Sequence, residues 1–293
     1  MILKEVLDKT INFFKQKNFE TPRLDAELLL AYGLGIERIQ LYLKFDQPLK
    51  EVELEKLREF VKRRSQGEPI AYIVGEKEFY KSTFKVTSAV LIPRPETETL
   101  VELAVEALEG LHLKTSEPLK ILDLASGSGC IGLSLAKEYP QDQVFAVEKS
   151  PDAMEILKQN AIFVLGSEDQ SRFTSLLIDG ENSEQVLGQI GGCLDLIVSN
   201  PPYIEKNDPE LSSEVLKFEP SMALFAEERG LHFILSWAKK YSSALKTNGI
   251  FIFEIGYKQG EELKNRINEW QLYSKIEVLK DLSGKDRFLK LTK

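Results

Sequence analysis

Cysteine is almost missing from this chain: there are two in 293 residues, Cys130 and Cys193, far apart and forming no CxxC pair. That excludes a disulfide scaffold and a cysteine-built zinc site, and it reads as two reduced thiols. Histidine is as scarce, and neither His112 nor His232 sits in a constellation with serine or cysteine. Ser–His or Cys–His nucleophilic chemistry therefore has no candidates. No apolar run approaches the ~20 residues of a membrane span. The opening Met1-Ile2-Leu3-Lys4-Glu5 alternates charge with apolar residues, which makes no signal-peptide core. Positive charge is also in deficit, with 38 Lys and Arg against 46 Asp and Glu and a formal charge of -8. A chain of that balance does not coat nucleic acid through bulk charge. The expectation is a soluble, cytoplasmic protein with no metal site, no membrane partner and no direct nucleic-acid partner.

What is present is ordinary for a folded protein, 43% apolar and 29% charged, and the length exceeds one average core, so two domains are expected. The acid excess belongs to the second part: residues 1–75 hold 13 basic and 12 acidic side chains, the remainder 25 and 34. The first 66 residues are helical in pattern. Ile2, Leu3, Val6, Leu7, Ile11 and Phe14 mark the face of one amphipathic helix. Thr21-Pro22 opens a second, whose apolar side is read as Leu24, Leu28, Leu29 and Tyr32. A third fits residues 50–66, with Leu54, Leu57 and Val61 inward and Gly67 as its stop. This bundle is either a packing cap or a partner-recognition domain. From Ile70 to Ile92, β-type stretches at Ala71-Tyr72-Ile73-Val74 and Phe84-Lys85-Val86 predict a hairpin linker.

After about residue 95 the chain alternates strands and helices. Candidate strands cover 119–124, 143–148, 173–178, 194–199 and 249–254, and an amphipathic stretch at 151–163 lies among them. Such alternation means an α/β fold with a mostly parallel sheet, finished here by an antiparallel pair joined through Ser283-Gly284. Ligands of these sheets bind beyond the carboxyl ends of the strands. After the first strand comes Asp123-Leu124-Ala125-Ser126-Gly127-Ser128-Gly129, opening a helix at Cys130. Glycines there let backbone approach a ligand closely and leave a helix N-terminus facing it. Glu148 ends the second strand, placed to accept hydroxyls of a ribose, and Asp179 ends the third, in reach of an adenine amino group.

The fourth strand ends in Asn200-Pro201-Pro202-Tyr203, a tetrapeptide that average composition produces in about one such chain in a thousand. Proline has no N–H and a fixed φ, so carbonyls around Pro201 and Pro202 are held rigidly as acceptors. The Asn200 amide oxygen and the Pro201 carbonyl can hold the two hydrogens of a planar –NH2 group and aim its nitrogen at an electrophile. Tyr203 offers a flat face. A nucleoside pocket beside an amino-nitrogen clamp implies methyl transfer from S-adenosyl-L-methionine.

At these residues the sequence resembles the peptide chain release factor N5-glutamine methyltransferases (the HemK/PrmC family), and the resemblance runs over nearly the whole chain. It is carried by Gly67-Glu68-Pro69-Ile70-Ala71-Tyr72-Ile73-Val74-Gly75, by Ile92-Pro93-Arg94-Pro95-Glu96-Thr97-Glu98 and by Asn200-Pro201-Pro202-Tyr203-Ile204. Phe218-Glu219-Pro220, Glu254-Ile255-Gly256-Tyr257 with Gln259-Gly260, and Asp281-Leu282-Ser283-Gly284-Lys285-Asp286-Arg287 continue it. The resemblance implies a class I methyltransferase domain over residues 93–293, with a Rossmann-like, mostly parallel seven-stranded sheet. It further implies a helical substrate-recognition domain over 1–69 and a β-hairpin linker over 70–92. The implied substrate is the glutamine of the Gly-Gly-Gln motif in class 1 release factors. Asn200, Pro201, Pro202 and Tyr203 would form the catalytic clamp. Ala125, Ser126, Gly127, Ser128, Gly129, Glu148, Asp179 and Asn200 would meet the cofactor, with the segment 94–97 closing over it.

Three positions depart from the family. Ala125 stands where glycine is usual, and its methyl group crowds the site if the residue needs positive φ. Glu148 replaces the usual Asp on a longer arm. Gly180 stands where a bulkier residue is common, which predicts a more open adenine edge. Two rival readings are a DNA or RNA adenine-N6 methyltransferase and a non-catalytic adaptor that keeps the fold. The first must grip phosphates, yet the segment 204–226 is acidic (Glu205, Asp208, Glu210, Glu214, Glu219), and Lys62-Arg63-Arg64 is read as a solvated helix end. The second is favoured by Ala125 alone, with the intact clamp against it. A nicotinamide oxidoreductase would leave that clamp without a role.

Overall fold

The structure is a computed structural model that describes residues 1–166, 169–206, 208–209 and 211–293. The chain divides into two compact units, one comprising Met1–Glu76 with Ser212–Phe218, the other Lys77–Leu211 with Glu219–Lys293.

The first unit is a helical bundle of α1 (Leu3–Gln16), α2 (Pro22–Leu34), α3 (Arg38–Leu43), α4 (Glu51–Ser65) and α5 (Ile70–Val74). On α1 the predicted stripe is the buried one: Leu3, Val6, Leu7, Ile11 and Phe14. On α2 the predicted face is corrected. Leu29 is buried as expected, but Leu24, Leu28 and Tyr32 are exposed, and Ala26, Leu30 and Gly33 turn inward. Both sets have helical spacing, and the inner one wins because its small members, Ala26 and Gly33, admit close approach; a Cβ on Gly33 would lie 2.5 Å from Leu57 Cδ2 of α4. Ala71-Tyr72-Ile73-Val74, expected as strand, is helix α5, ended by Gly75 at φ 81°. Nor is Lys62-Arg63-Arg64 simply a solvated helix end. Arg63 pairs with Glu68, and Arg64 with Asp25 at 2.8 Å and Glu214 at 3.3 Å, its guanidinium lying over the Phe19 ring. Glu214 belongs to α10 (Ser213–Phe218), part of this unit.

The hairpin is β1 (Glu76–Phe79) and β2 (Ser82–Lys85), with Phe79 packed edge-on against Phe84. Then come α6 (Pro95–His112), β3 (Lys120–Leu124), α7 (Cys130–Glu138), β4 (Gln143–Glu148), α8 (Pro151–Leu165), β5 (Phe173–Leu177), α9 (Ser183–Ile190) and β6 (Leu194–Ser199). After α10 and α11 (Ser221–Leu224) follow α12 (His232–Lys240), β7 (Leu245–Glu254), α13 (Gly260–Asn268), β8 (Lys275–Lys280) and β9 (Asp286–Thr292).

The seven strands form one sheet in the order β5-β4-β3-β6-β7-β9-β8, parallel from β5 to β7 and antiparallel at β9 and β8. All six residues of β6 are buried, as befits a strand covered on both faces. One face packs Leu122, Leu124 and Ile197 with α9, α12 and α13; the other packs Ile121, Leu196 and Val198 with α6, α7 and α8. Buried Asn160 of α8 accepts the Lys85 N–H and donates to the carbonyls of Lys85 and Ser128, fastening hairpin, α8 and the loop after β3 together.

The α2 correction is measurable. Leu30→Ala should cost about 2–5 kcal/mol, as for other buried leucines, whereas Leu28→Ala should change stability by well under half as much. Urea midpoints followed by helical signal decide it; equal losses would restore the predicted face.

Candidate active site

From β3 the chain winds outward through β4 and β5, then returns to the other side of β3 at β6. The carboxyl ends of β3 and β6 meet a cavity of about 240 Å³, at the switch point where such sheets bind ligands. Its wall takes Ala125, Ser126, Gly127 and Ser128 from the loop after β3, Glu148, Lys149 and Ser150 from the end of β4, and Asp179 and Gly180 after β5. Asn200 and Pro202 follow β6, Pro93, Arg94 and Thr97 open α6, and Phe233 and Trp237 face in from α12.

The loop after β3 is held from several sides. Gly129, at φ 80°, is the N-cap of α7, and a Cβ there would lie 2.9 Å from Leu133 Cδ1; conformation and space both demand glycine. Ala125 sits at φ 59°, so the position is one that favours glycine, and an alanine there costs about 1–2 kcal/mol. Glu148 closes the loop from β4. Its Oε2 accepts the Gly127 N–H at 2.9 Å, and its Oε1 accepts the N–H groups of Lys149 at 2.9 Å and Ser150 at 2.8 Å. A carboxylate has about four acceptor positions, so one remains, on Oε2.

Beneath the loop lies Asp123, wholly buried. Its Oδ2 accepts the Gly132 N–H at 3.0 Å and its Oδ1 has no partner. Burial pushes its carboxyl up to about 7, with the neighbouring Glu148 charge adding to the effect. Burial likewise raises the Cys130 thiol to about 12, which leaves it an inert core group.

Asp179 reaches the cavity wall with its Oδ1 accepting the Glu181 N–H at 3.0 Å. The expected open adenine edge beside it is corrected. Trp237 fills the space at Gly180, where a Cβ would stand 3.1 Å from the indole, and Tyr241 donates its hydroxyl hydrogen to the Gly180 carbonyl at 2.8 Å. The missing side chain is replaced by an indole from α12.

The clamp is anchored through Ser199, whose hydroxyl donates to the Leu124 carbonyl at 2.7 Å. Pro201 and Pro202 are buried. Asn200 and Pro202 line the cavity, whereas Pro201 and Tyr203 do not. Tyr203 donates its hydroxyl to Glu254 at 3.0 Å, and its carbonyl accepts from Gln259 Nε2 at 2.9 Å. Gly230, at φ 85°, passes so close that a Cβ would collide with that carbonyl. Asn200 donates from Nδ2 to Thr97 Oγ1 at 3.1 Å, and Thr97 donates to Glu254 Oε2 at 2.7 Å. Thr97 and Glu254 are each 2% exposed. Burial raises the Glu254 pKa, against the two hydroxyl donors and nearby Arg287, which lower it.

Sequence reasoning missed Glu254, Phe233 and Trp237 as site residues and placed Thr97 only within the segment 94–97 expected to close over the cofactor. Thr97 and Glu254 lay inside segments that carried the family resemblance, and a buried acid at a strand end was the signal available. Phe233 and Trp237 are four apart on α12, a spacing that reads equally as core. Of the acids over 204–226, Glu219 is buried in an ion pair with Arg94 at 2.5 Å, Glu214 pairs with Arg64, Glu205 is exposed, and Glu210 lies outside the described residues. His112 meets Asp142 at 2.9 Å, and neither His112 nor His232 borders the cavity. Among the described residues no cluster could hold a metal and no helix is long and apolar enough to cross a membrane.

The wall suits S-adenosylmethionine: a helix N-terminus and loop amides for a carboxylate, acids at the ends of β4 and β5 for hydroxyl and amino groups, and indole and phenyl faces for a flat base. With Asn200-Pro201-Pro202-Tyr203 at the next strand end, the class defined is that of class I methyltransferases. The fold agrees with the N-terminal domain of human METTL16 in complex with SAH, matched at a TM-score of 0.54 and 15% identity over 78% of this chain and 82% of that one. Residues 5–75 match the family model for the PrmC N-terminal domain, and residues 108–248 that for the methyltransferase small domain. The chain is 38% identical over 286 residues to the release factor glutamine methyltransferase of Chlorobaculum tepidum, covering 97% of this chain and 95% of that one. It is 37% identical over 289 residues to that of Rhodopirellula baltica, covering 98% and 95%. The chain belongs to the release factor glutamine methyltransferase family.

Two predictions follow from the loop. Ala125→Gly should stabilise the protein by about 1 kcal/mol, because relief of the left-handed alanine outweighs the added freedom of the unfolded chain; a lowered melting temperature would contradict this. Asp123 binds a proton in the folded state at pH values where the unfolded chain has released it, so its contribution is lost as pH rises from about 4 to 7 and is level above. Asp123→Asn removes that dependence. Its urea midpoint relative to the parent should rise between pH 5 and pH 8 by the equivalent of about 2 kcal/mol, and a pH-independent difference would refute the shift.

Proposed function

We propose that this protein transfers the methyl group of S-adenosylmethionine to the side-chain amide nitrogen of the glutamine in the Gly-Gly-Gln motif of class 1 peptide chain release factors. The observation that carries the reading is Asn200, fixed in the wall of the cavity that also holds the glycine loop and Glu148. Family membership over nearly the whole chain supports the substrate. A protein of the translation apparatus as substrate puts the enzyme in the cytoplasm.

Residues 125–129 and the α7 N-terminus take the methionine part of the cofactor, Glu148 a ribose hydroxyl through its remaining acceptor position, and Asp179 the adenine amino group. When bound, the cofactor supplies a methyl group on a positively charged sulfur. The Asn200 amide oxygen and the Pro201 carbonyl accept the two hydrogens of the glutamine amide and hold its nitrogen in line. Pro202 and Tyr203 fix the turn that carries both acceptors. An amide nitrogen is a weak nucleophile, because its lone pair is delocalised into the carbonyl. Orientation and exclusion of water therefore carry the rate. The helical unit within residues 1–76 recognises the folded release factor.

The test is methyl transfer from labelled S-adenosylmethionine to a purified class 1 release factor, with duplex DNA in a parallel tube and peptide mass spectrometry to place the label. One methyl on the Gly-Gly-Gln glutamine is expected; label in DNA alone would move the assignment to adenine. Asn200→Ala should lower turnover by at least 100-fold, on the scale of a lost positioning contact, and leave cofactor affinity within about threefold. Loss of both together would mean that Asn200 serves the cofactor or the fold.

A further inference from the structure

We propose that Thr97, held by the buried carboxylate of Glu254, is a positioning residue that decides which end of the Asn200 amide faces the substrate, and so makes the clamp select glutamine over glutamate. The inference rests on the clamp reading given above. It concerns two residues for which that reading supplies no role.

While ionised, Glu254 can only accept, and two hydroxyls converge on it: Thr97 on Oε2 at 2.7 Å and Tyr203 on Oε1 at 3.0 Å. A hydroxyl has a single hydrogen. Once the Thr97 hydrogen points at Glu254, Thr97 Oγ1 can offer Asn200 nothing but a lone pair. Asn200 must therefore turn Nδ2 toward Thr97, as it does at 3.1 Å. Its Oδ1, the other end of a planar amide, is then turned away from Thr97. Without the carboxylate the chain loses its polarity. A freed Thr97 hydrogen can point at Asn200, the amide can flip, and the clamp then presents a donor.

The sign of that end matters to the substrate. Glutamine brings two N–H hydrogens, which need acceptors; a glutamate of the same shape brings only acceptors. With Oδ1 and the Pro201 carbonyl both accepting, glutamate meets two like partners and is rejected. A donor at Asn200 removes half of that rejection. The two partners are also placed for the task. Glu254 closes β7 and Thr97 lies in the first turn of α6, so two rigid elements set the position of a residue on a turn.

The full chain is tested with an intact release factor and with the same factor carrying Gln→Glu in its Gly-Gly-Gln motif, the latter as competing inhibitor. Thr97→Val keeps the shape and removes the hydroxyl; it should lower kcat about 100-fold, the scale of a misaligned reacting group, with cofactor affinity near the parent's. Thr97→Ser restores the hydroxyl and should recover kcat to within about fivefold, taking about 20-fold of the loss as the hydroxyl's share. Glu254→Gln should narrow the preference for glutamine over the glutamate factor by about tenfold, which is one hydrogen bond's worth. A parent-like kcat in Thr97→Val, or Thr97→Ser as slow as Thr97→Val, overturns the inference, since packing and not the hydroxyl would then matter. Unchanged discrimination in Glu254→Gln overturns it too. If the parent enzyme itself leaves the Gly-Gly-Gln glutamine unmethylated, the functional reading falls, and the inference with it.

Discussion

The pairing of β3 with β6 is the constraint on which the rest hangs. Leu124 lies opposite Ser199 in the parallel register, and the Ser199 hydroxyl spans the pair to the Leu124 carbonyl. One residue further along each strand stand Ala125 and Asn200. The glycine loop and the clamp therefore issue side by side from the one place where the winding of the sheet reverses. A register slip of one residue would exchange the side chains that β6 presents to its two differently packed faces and would part Ser199 from the Leu124 carbonyl. The hydrophobic demands of the two faces thus fix the spacing of two chemical groups that are 75 residues apart in sequence.

Around that pair the protein buries acids, and each is satisfied differently. Glu148 accepts three backbone N–H groups, Glu219 is held by Arg94 and the Ile92 N–H, and Glu254 by two hydroxyls. Asp123 is the exception, with one oxygen bonded and one bare. A buried carboxylate without partners loses charge sooner than it loses its place, which is the physical content of its raised pKa. Three of the four act as braces between elements. Glu148 joins the loops after β3 and β4, Glu219 ties the segment before α11 to that before α6, and Glu254 ties β7 to α6 and the clamp.

The strands and the clamp were legible because each rests on local chemistry: an apolar run fits a covered strand, and Asn-Pro-Pro-Tyr dictates rigid acceptors. What escaped depends on choices between equals. Leu24, Leu28 and Tyr32 have helical spacing as good as that of Ala26, Leu29 and Leu30, and the neighbouring helices, among them α4 with Leu57 at Gly33, decide between them. Gly180 predicts an opening as long as nothing else arrives, and Trp237 arrives from 57 residues further along the chain. Thr97 looks like one more polar residue at the start of a helix. Its role exists through Glu254, which is remote in sequence and carries no local mark beyond sitting at a strand end.

On the reading proposed above, the reaction makes little demand on a general base. The titratable side chains on the cavity wall are Arg94, Cys130, Glu148, Lys149, Asp152 and Asp179. Cys130 is held protonated by burial, Glu148 is committed to loop amides and Arg94 to Glu219. Glu254, the acid nearest to Asn200 through the relay, already accepts on both oxygens. A base is needed least when the proton can leave after the new bond has formed, since the methylated amide nitrogen is then a strong acid. What cannot be postponed is aim, because the nitrogen lone pair must leave its conjugation along the line to the methyl group. On that reading, Asn200, fixed by a hydroxyl and a buried carboxylate, would supply aim without having to move a proton.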